Sequence, residues 1–198
     1  MDYGLTHARE RGFSLIELMV VVAVVAILAV MAAPSLRDLV QRTKVKGAAD
    51  AAAALVAEAR VGAVKARRDV TINLTGLGMT WCVGANAAAA PTPGNQFGPS
   101  TTCVCTNTTA CTVGLDRLVL DSADHTGVSV SGAANVNIDG KLGMLKPSGP
   151  TSLPAIANLA TFSWPGSGYS LTVRVSTGGQ AEACTSGASA IGGYPPCA

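Results

Sequence analysis

The chain has little charge and almost no histidine. Asp, Glu, Lys and Arg together make 13% of its 198 residues, and the formal net charge is +2. A field that weak selects no partner by bulk electrostatics. The two histidines, His7 and His125, come with no His/Cys or Ser/His/Asp set of the kind nucleophilic catalysis needs. The phosphate-cradling glycine loop, the dinucleotide fingerprint and the metalloprotease helix motif are absent as well. Asp121, Asp124 and Asp139 lack the one-three-five spacing of a calcium loop and read as turn residues. These absences point to a non-enzyme, with no catalytic residue, metal or cofactor expected.

The charges that exist are unevenly placed. Met1 to Val70 holds ten Lys/Arg against seven Asp/Glu, and the rest only Arg117, Lys141, Lys146 and Arg174 against Asp116, Asp121, Asp124, Asp139 and Glu182. That near-neutral part holds most of the glycine and all six cysteines: Cys82, Cys103, Cys105, Cys111, Cys184 and Cys197. An even count beyond an apolar segment suggests an oxidising compartment and disulfides. Zinc is the rival reading. Cys103-Val104-Cys105 is C-x-C, however, and no paired C-x-x-C or histidine ligands accompany it. Cys184 and Cys197 are expected to close a C-terminal loop of fourteen residues, a constraint of about 3 kcal/mol in the chain-entropy model. The other four allow three connectivities. Cys82 with Cys103 and Cys105 with Cys111 is favoured, since bridging Cys103 to Cys105 would be strained.

Phe13 to Ala33 is a 21-residue apolar run with one charge, Glu17. About 20 such residues cross the hydrocarbon core as a helix. His7, Arg9 and Arg11 precede it with Glu10 as the only nearby acid, a bias that holds the N-terminus in the cytoplasm. Arg37, Arg42, Lys44 and Lys46 follow the run and pull the other way. A cleaved secretory signal is the alternative, but Val30-Met31-Ala32 is only a passable cleavage site. A carboxylate in such a run costs roughly 2.5–3.5 kcal/mol on insertion scales, so it is seldom there without a partner.

Gly12-Phe13-Ser14-Leu15-Ile16-Glu17-Leu18-Met19-Val20 resembles the type IV prepilin processing motif. The resemblance implies cleavage between Gly12 and Phe13 by a dedicated peptidase, N-methylation of Phe13, and Glu17 as the fifth mature residue. Pro34 falls where many pilins have a helix-weakening proline. A free Phe13 amine would lie one helical turn before Glu17. Unlike charges in hydrocarbon must neutralise each other. Pairing Glu17 with the amine of a neighbouring subunit would then set the register of an otherwise slippery apolar bundle.

Beyond the run, Leu36, Val40, Val45, Leu55, Val56, Val61 and Val64 recur at roughly helical spacing, through the alanine-rich stretch Ala48 to Ala66. A helix from Ser14 to about Ala66 would be about 80 Å long at 1.5 Å per residue. Pro34 predicts a kink or local unwinding within it. From Asp69 the period changes to two. Val70 to Leu74, Thr126 to Ser131 and Tyr169 to Ser176 alternate, and Met79–Val83, Arg117–Leu120, Val136–Ile138, Leu142–Leu145 and Ala160–Trp164 are further strand candidates. Asn137 to Gly140 and Trp164 to Gly168 read as turns, and Ala85 to Thr102 as a long loop. The fold class is therefore α+β, a long N-terminal transmembrane and filament helix followed by an all-β, two-sheet, disulfide-bearing head. The expected division is a leader at 1–12, the membrane part of the helix at 13–33, its continuation at 34–68 and the head at 69–198.

A long helix before an all-β head is similar to the GspH/FimT group of minor pilins and pseudopilins. In the head the likeness rests on strand order, the Phe162-Ser163-Trp164-Pro165-Gly166 turn, and the Thr172-to-Ser176 strand before a glycine pair. The resemblance implies a minor pilin that helps assemble or initiate a type IV pilus, and so serves motility or attachment. An H-type pseudopilin of a type II secretion system and a DNA-receptor pilin are the alternatives. The implied partners are other pilins through the N-terminal helix, the prepilin peptidase and the inner membrane. A single pass would put the head in the periplasm, and in the extracellular pilus after assembly. DNA binding is not expected. Some FimT-like pilins bind DNA through an arginine-bearing motif after the last long strand, where this chain has Gln180 and Glu182. The Arg60, Lys65, Arg67, Arg68 group reads as a solvated helix end.

Overall fold

A computed structural model describes residues 13–88, 103–107, 110–132, 135–146, 156–187 and 190–197. The chain forms two compact units, Met1–Val40 and Gln41–Ala198, and helix α1 (Leu15–Ala66) contributes to both. Ser14 caps its start. The Ser14 hydroxyl accepts the Glu17 N–H at 3.2 Å and its carbonyl accepts the Leu18 N–H at 3.1 Å, supplying partners to a helix end that has none of its own. The helix ends in a Schellman motif: Arg68 N–H returns to Ala63 O and Arg67 N–H to Val64 O, with Arg67 left-handed at φ 51°.

In the first unit the chain stays helical through Pro34, so of the two expected effects, a kink or local unwinding, the unwinding does not occur. The lost proline N–H leaves one carbonyl short, and beside it the Ser35 hydroxyl donates to Ala32 O at 2.9 Å. Large side chains such as Phe13, Ile16, Met31 and Leu36 are exposed along this stretch. It is long and apolar enough to cross a membrane.

The second unit packs the rest of α1 against antiparallel sheets. Its strands are β1 (Val70–Thr75), β2 (Cys82–Ala87), β3 (Thr112–Val113), β4 (Asp116–Arg117), β5 (Val119–Asp121), β6 (Ser129–Ser131), β7 (Val136–Ile138), β8 (Leu145–Lys146), β9 (Ile156–Ser163), β10 (Ser170–Ser176) and β11 (Ala181–Thr185). One sheet has the order β5-β2-β1-β7-β8 and the other β11-β10-β9-β6, while β3 and β4 form a separate hairpin. Gly78 and Val130 exchange two backbone hydrogen bonds of 2.8 Å and so link a loop of the first sheet to an edge strand of the second. Ile72, Val83, Ile138, Phe162, Leu171 and Val173 are fully buried in one core.

The face of α1 that this core covers is mostly alanine: Ala48, Ala49, Ala52, Ala59 and Ala63, with Val45, Leu55 and Val56. Of the larger apolar positions read from the sequence, Leu36, Val40, Val61 and Val64 are exposed instead. Small side chains let a sheet lie close to the helix, and burial there follows proximity rather than side-chain size. Gly62 extends the principle. A Cβ at this position would collide with Val113, so its absence lets the β3–β4 hairpin rest on the helix.

The two-sheet head matches the sequence reading in class and differs in detail. Thr126 and Gly127 are turn, Met79 and Thr80 precede β2, and Leu142 is turn rather than strand. Arg117 to Leu120 divides at Leu118 into β4 and β5, and Ala85 to Ala87 belongs to β2. Residues 89–102 of the expected loop lie outside the described residues.

Candidate functional site

The cap of α1 places the processing motif at a helix start. Phe13 is 81% exposed and immediately precedes the capping Ser14, and Glu17 lies in the first turn. The unsatisfied N–H groups and dipole of a helix start favour an anion. That geometry suits a carboxylate awaiting a cation in apolar surroundings. Gly12 and the rest of the leader lie outside the described residues.

The cysteines pair as Cys82–Cys105, Cys103–Cys111 and Cys184–Cys197. The last closes the C-terminal loop anticipated from spacing. The other two reverse the favoured connectivity, and Asn73 shows why. Its buried side chain accepts the Cys103 N–H at 2.9 Å and donates to Cys103 O at 3.2 Å, which clamps Cys103 against β1. There the Cys103 sulfur occupies the space of a side chain missing at Gly84, with Cys111 beside it. Cys105, two residues on, is left to meet Cys82. The sulfurs of Cys103, Cys105 and Cys111 lie within 4.8 Å of one another. Each is already committed to a disulfide, and a metal requires thiolates.

Three cations early in the second unit's share of α1 were invisible in the sequence as contacts. Arg42 Nη2 donates to the Tyr169 hydroxyl at 2.5 Å, and its guanidinium lies 4.6 Å from that ring's centre. Lys44 Nζ donates to Thr126 O at 3.0 Å and lies over Trp164. Lys46 Nζ donates to Gly192 O at 2.9 Å and lies over Tyr194. Each contact of this kind contributes about 0.5–1 kcal/mol at exposed sites. Together they tie three head segments, distant in sequence, to one helix.

Elsewhere the structure assigns partners to residues singled out from sequence. Glu182 accepts from Arg174 Nε at 2.5 Å as its cross-strand neighbour, so these opposite charges neutralise each other. Arg60 Nε donates to Gly143 O at 2.9 Å. Lys146 pairs with Asp69 at 2.5 Å, and Asp69 also accepts the Gly140 N–H at 3.0 Å. Burial raises the Asp69 carboxyl, but these partners together outweigh burial and hold it below its ordinary value. His125 is not a free surface residue. It stacks on the buried Trp81 at 6.1 Å, and Trp81 meets Phe162 edge-on at 5.3 Å.

Residues 7–33 match the family described as the prokaryotic N-terminal methylation motif. No curated protein and no solved structure matches the chain. The motif supports a type IV pilin or pseudopilin family and, with the apolar helix, is consistent with membrane anchoring.

Proposed function

We propose that the chain is a minor pilin of a type IV pilus. In this reading a peptidase removes residues 1–12, the apolar helix anchors the subunit in the inner membrane with the head in the periplasm, and assembly moves both into a filament. The observation that carries it is Glu17 in the capped first turn of an exposed apolar helix, inside the methylation motif. The helix start already favours a carboxylate, and in apolar surroundings the amine of a neighbouring mature Phe13 would supply the opposite charge that it lacks.

The same leader, helix and head suit an H-type pseudopilin of type II secretion. Three disulfides suit both readings, since the periplasm and the cell exterior both lie beyond the reach of cytoplasmic reductants. The test is Glu17→Ala in cells carrying the assembly machinery. The variant should stay in the membrane with its disulfides formed, while its incorporation into sheared filaments falls at least tenfold. Unchanged incorporation removes the charge-pair argument. Loss of secreted enzymes with pili intact would assign the chain to secretion instead.

A further inference from the structure

We infer that Cys82, Cys103, Cys105 and Cys111, once their bridges are reduced, form a four-sulfur site for a thiophilic divalent metal such as zinc. The inference is independent of the filament reading. In the sequence the C-x-C pair has no partners at ligand spacing. The fold supplies them, bringing Cys82 from β2 and Cys111 from the residue before β3. A tetrahedral thiolate site with bonds of about 2.3 Å has sulfur-to-sulfur edges of about 3.8 Å. The Cys103 and Cys105 sulfurs, which are not bonded to each other, lie 3.9 Å apart. Those of Cys103, Cys105 and Cys111 fall within 4.8 Å of one another, and Cys82 joins the group through its bridge to Cys105. Cys82, Cys103 and Cys111 are buried and Cys105 is half-buried, which shields a bound ion from competing water.

The four positions are held by more than their bridges. Cys82 sits in β2, paired with Thr75 on one side and Asp121 on the other. Cys103 is clamped by its two hydrogen bonds with Asn73. Arg117 Nη2 donates to Cys105 O at 2.9 Å, and Leu118 N–H donates to Cys111 O at 2.9 Å. Opening the bridges frees the sulfurs and leaves these anchors, which fix the ligands as outer contacts do in metal sites. The Arg117 guanidinium also offsets part of the double negative charge of four thiolates around a divalent ion. The electrons come from a dithiol. It gives two electrons and two protons to each bridge, which opens to two thiols while the dithiol closes to a disulfide. The metal then displaces four protons, because thiolates are the ligands. Cys184 and Cys197 bring only two sulfurs together and offer no such site.

The experiment reduces the full chain in detergent with a phosphine under nitrogen, removes the reductant and adds zinc. Iodoacetamide labelling with peptide mapping should find Cys82, Cys103, Cys105 and Cys111 protected and Cys184 and Cys197 alkylated. Cobalt in place of zinc should give the thiolate charge-transfer absorption of a tetrahedral site. Cys82→Ser and Asn73→Ala should each lower zinc affinity at least about tenfold, while Cys184→Ser leaves it unchanged. Alkylation of all six cysteines despite zinc would overturn the inference, as would equal protection of Cys184 and Cys197. Circular dichroism follows the fold through the same steps. A reduced chain that unfolds and does not refold with zinc would overturn the inference. So would a zinc affinity undiminished in urea, since the thiols alone would then account for it.

Discussion

The Tyr194 hydroxyl donates to both carboxylate oxygens of Asp50, at 2.8 and 2.7 Å, bridging the C-terminal segment to α1 across 144 positions of sequence. Burial and the neighbouring Asp50 charge push this phenol up to about 12 from an ordinary 10.0. A folded-state value above the unfolded one stabilises the fold fully below pH 10, and that contribution is lost as pH rises through about 12. Tyr194→Phe should lower stability at pH 7 by about 1 kcal/mol, as expected for one partly exposed hydrogen bond. It should also remove part of the alkaline loss. Thermal melts of the full chain in detergent check both, and a Tyr194 that ionises normally in the folded protein would contradict the assignment.

Asp69 predicts the opposite pH dependence. Its carboxyl is held below the ordinary 3.8 by Lys146 and the Gly140 N–H, against the upward push of burial. The stabilisation is present above the unfolded value and fades as pH falls through the lower folded one. Asp69→Asn should cost about 1–2 kcal/mol at neutral pH, with Lys146 partly exposed and so discounted. The difference from wild type should narrow below about pH 4. An acid titration followed by circular dichroism measures this, and a constant difference across the range would refute it.

The cysteine framework gives a sharp chemical test. Non-reducing peptide mapping should find Cys82 joined to Cys105, Cys103 to Cys111 and Cys184 to Cys197. A Cβ at Gly84 would fall on the Cys103 sulfur. Gly84→Ala should therefore leave Cys103 and Cys111 reactive to a thiol reagent while Cys184–Cys197 stays intact. Cys103 protected in that variant would contradict the packing.

What the sequence disclosed and what it hid follow from the range of the interactions. The apolar helix was legible as an uninterrupted apolar run, and β1 and β10 by the alternation of apolar and polar residues along the sequence, although the fold buries Thr71, Asn73, Thr172 and Arg174 as well. The Trp164-to-Gly168 turn was legible from its glycines, which sit at φ 79° and 68°. The pairing of Cys82, Cys103, Cys105 and Cys111 was not, because it depends on Asn73, thirty residues from Cys103, whereas Cys184–Cys197 followed from spacing. The buried face of α1 was legible in part, at Val45, Leu55, Val56 and the alanine-rich stretch, but which alanines it uses was not, because alanine carries little hydrophobic signal. β11 was not among the strands read from the alternation, and only its register sets Glu182 opposite Arg174. At the site itself, Phe13 and Glu17 were local motif residues and so visible, whereas the Arg42, Lys44 and Lys46 contacts join segments that only the fold brings together.

The most direct test of the account is the mass of the N-terminal peptide of the chain extracted from membranes of its native host. The account predicts a mature protein that begins at Phe13, heavier by one methyl group, with Glu17 as its fifth residue. A Gly12 variant bearing a bulky side chain should remain uncleaved. A mature protein that begins at Ala33 or Pro34 would mean that the apolar run is a secretory signal removed on export, and would contradict the account at its centre.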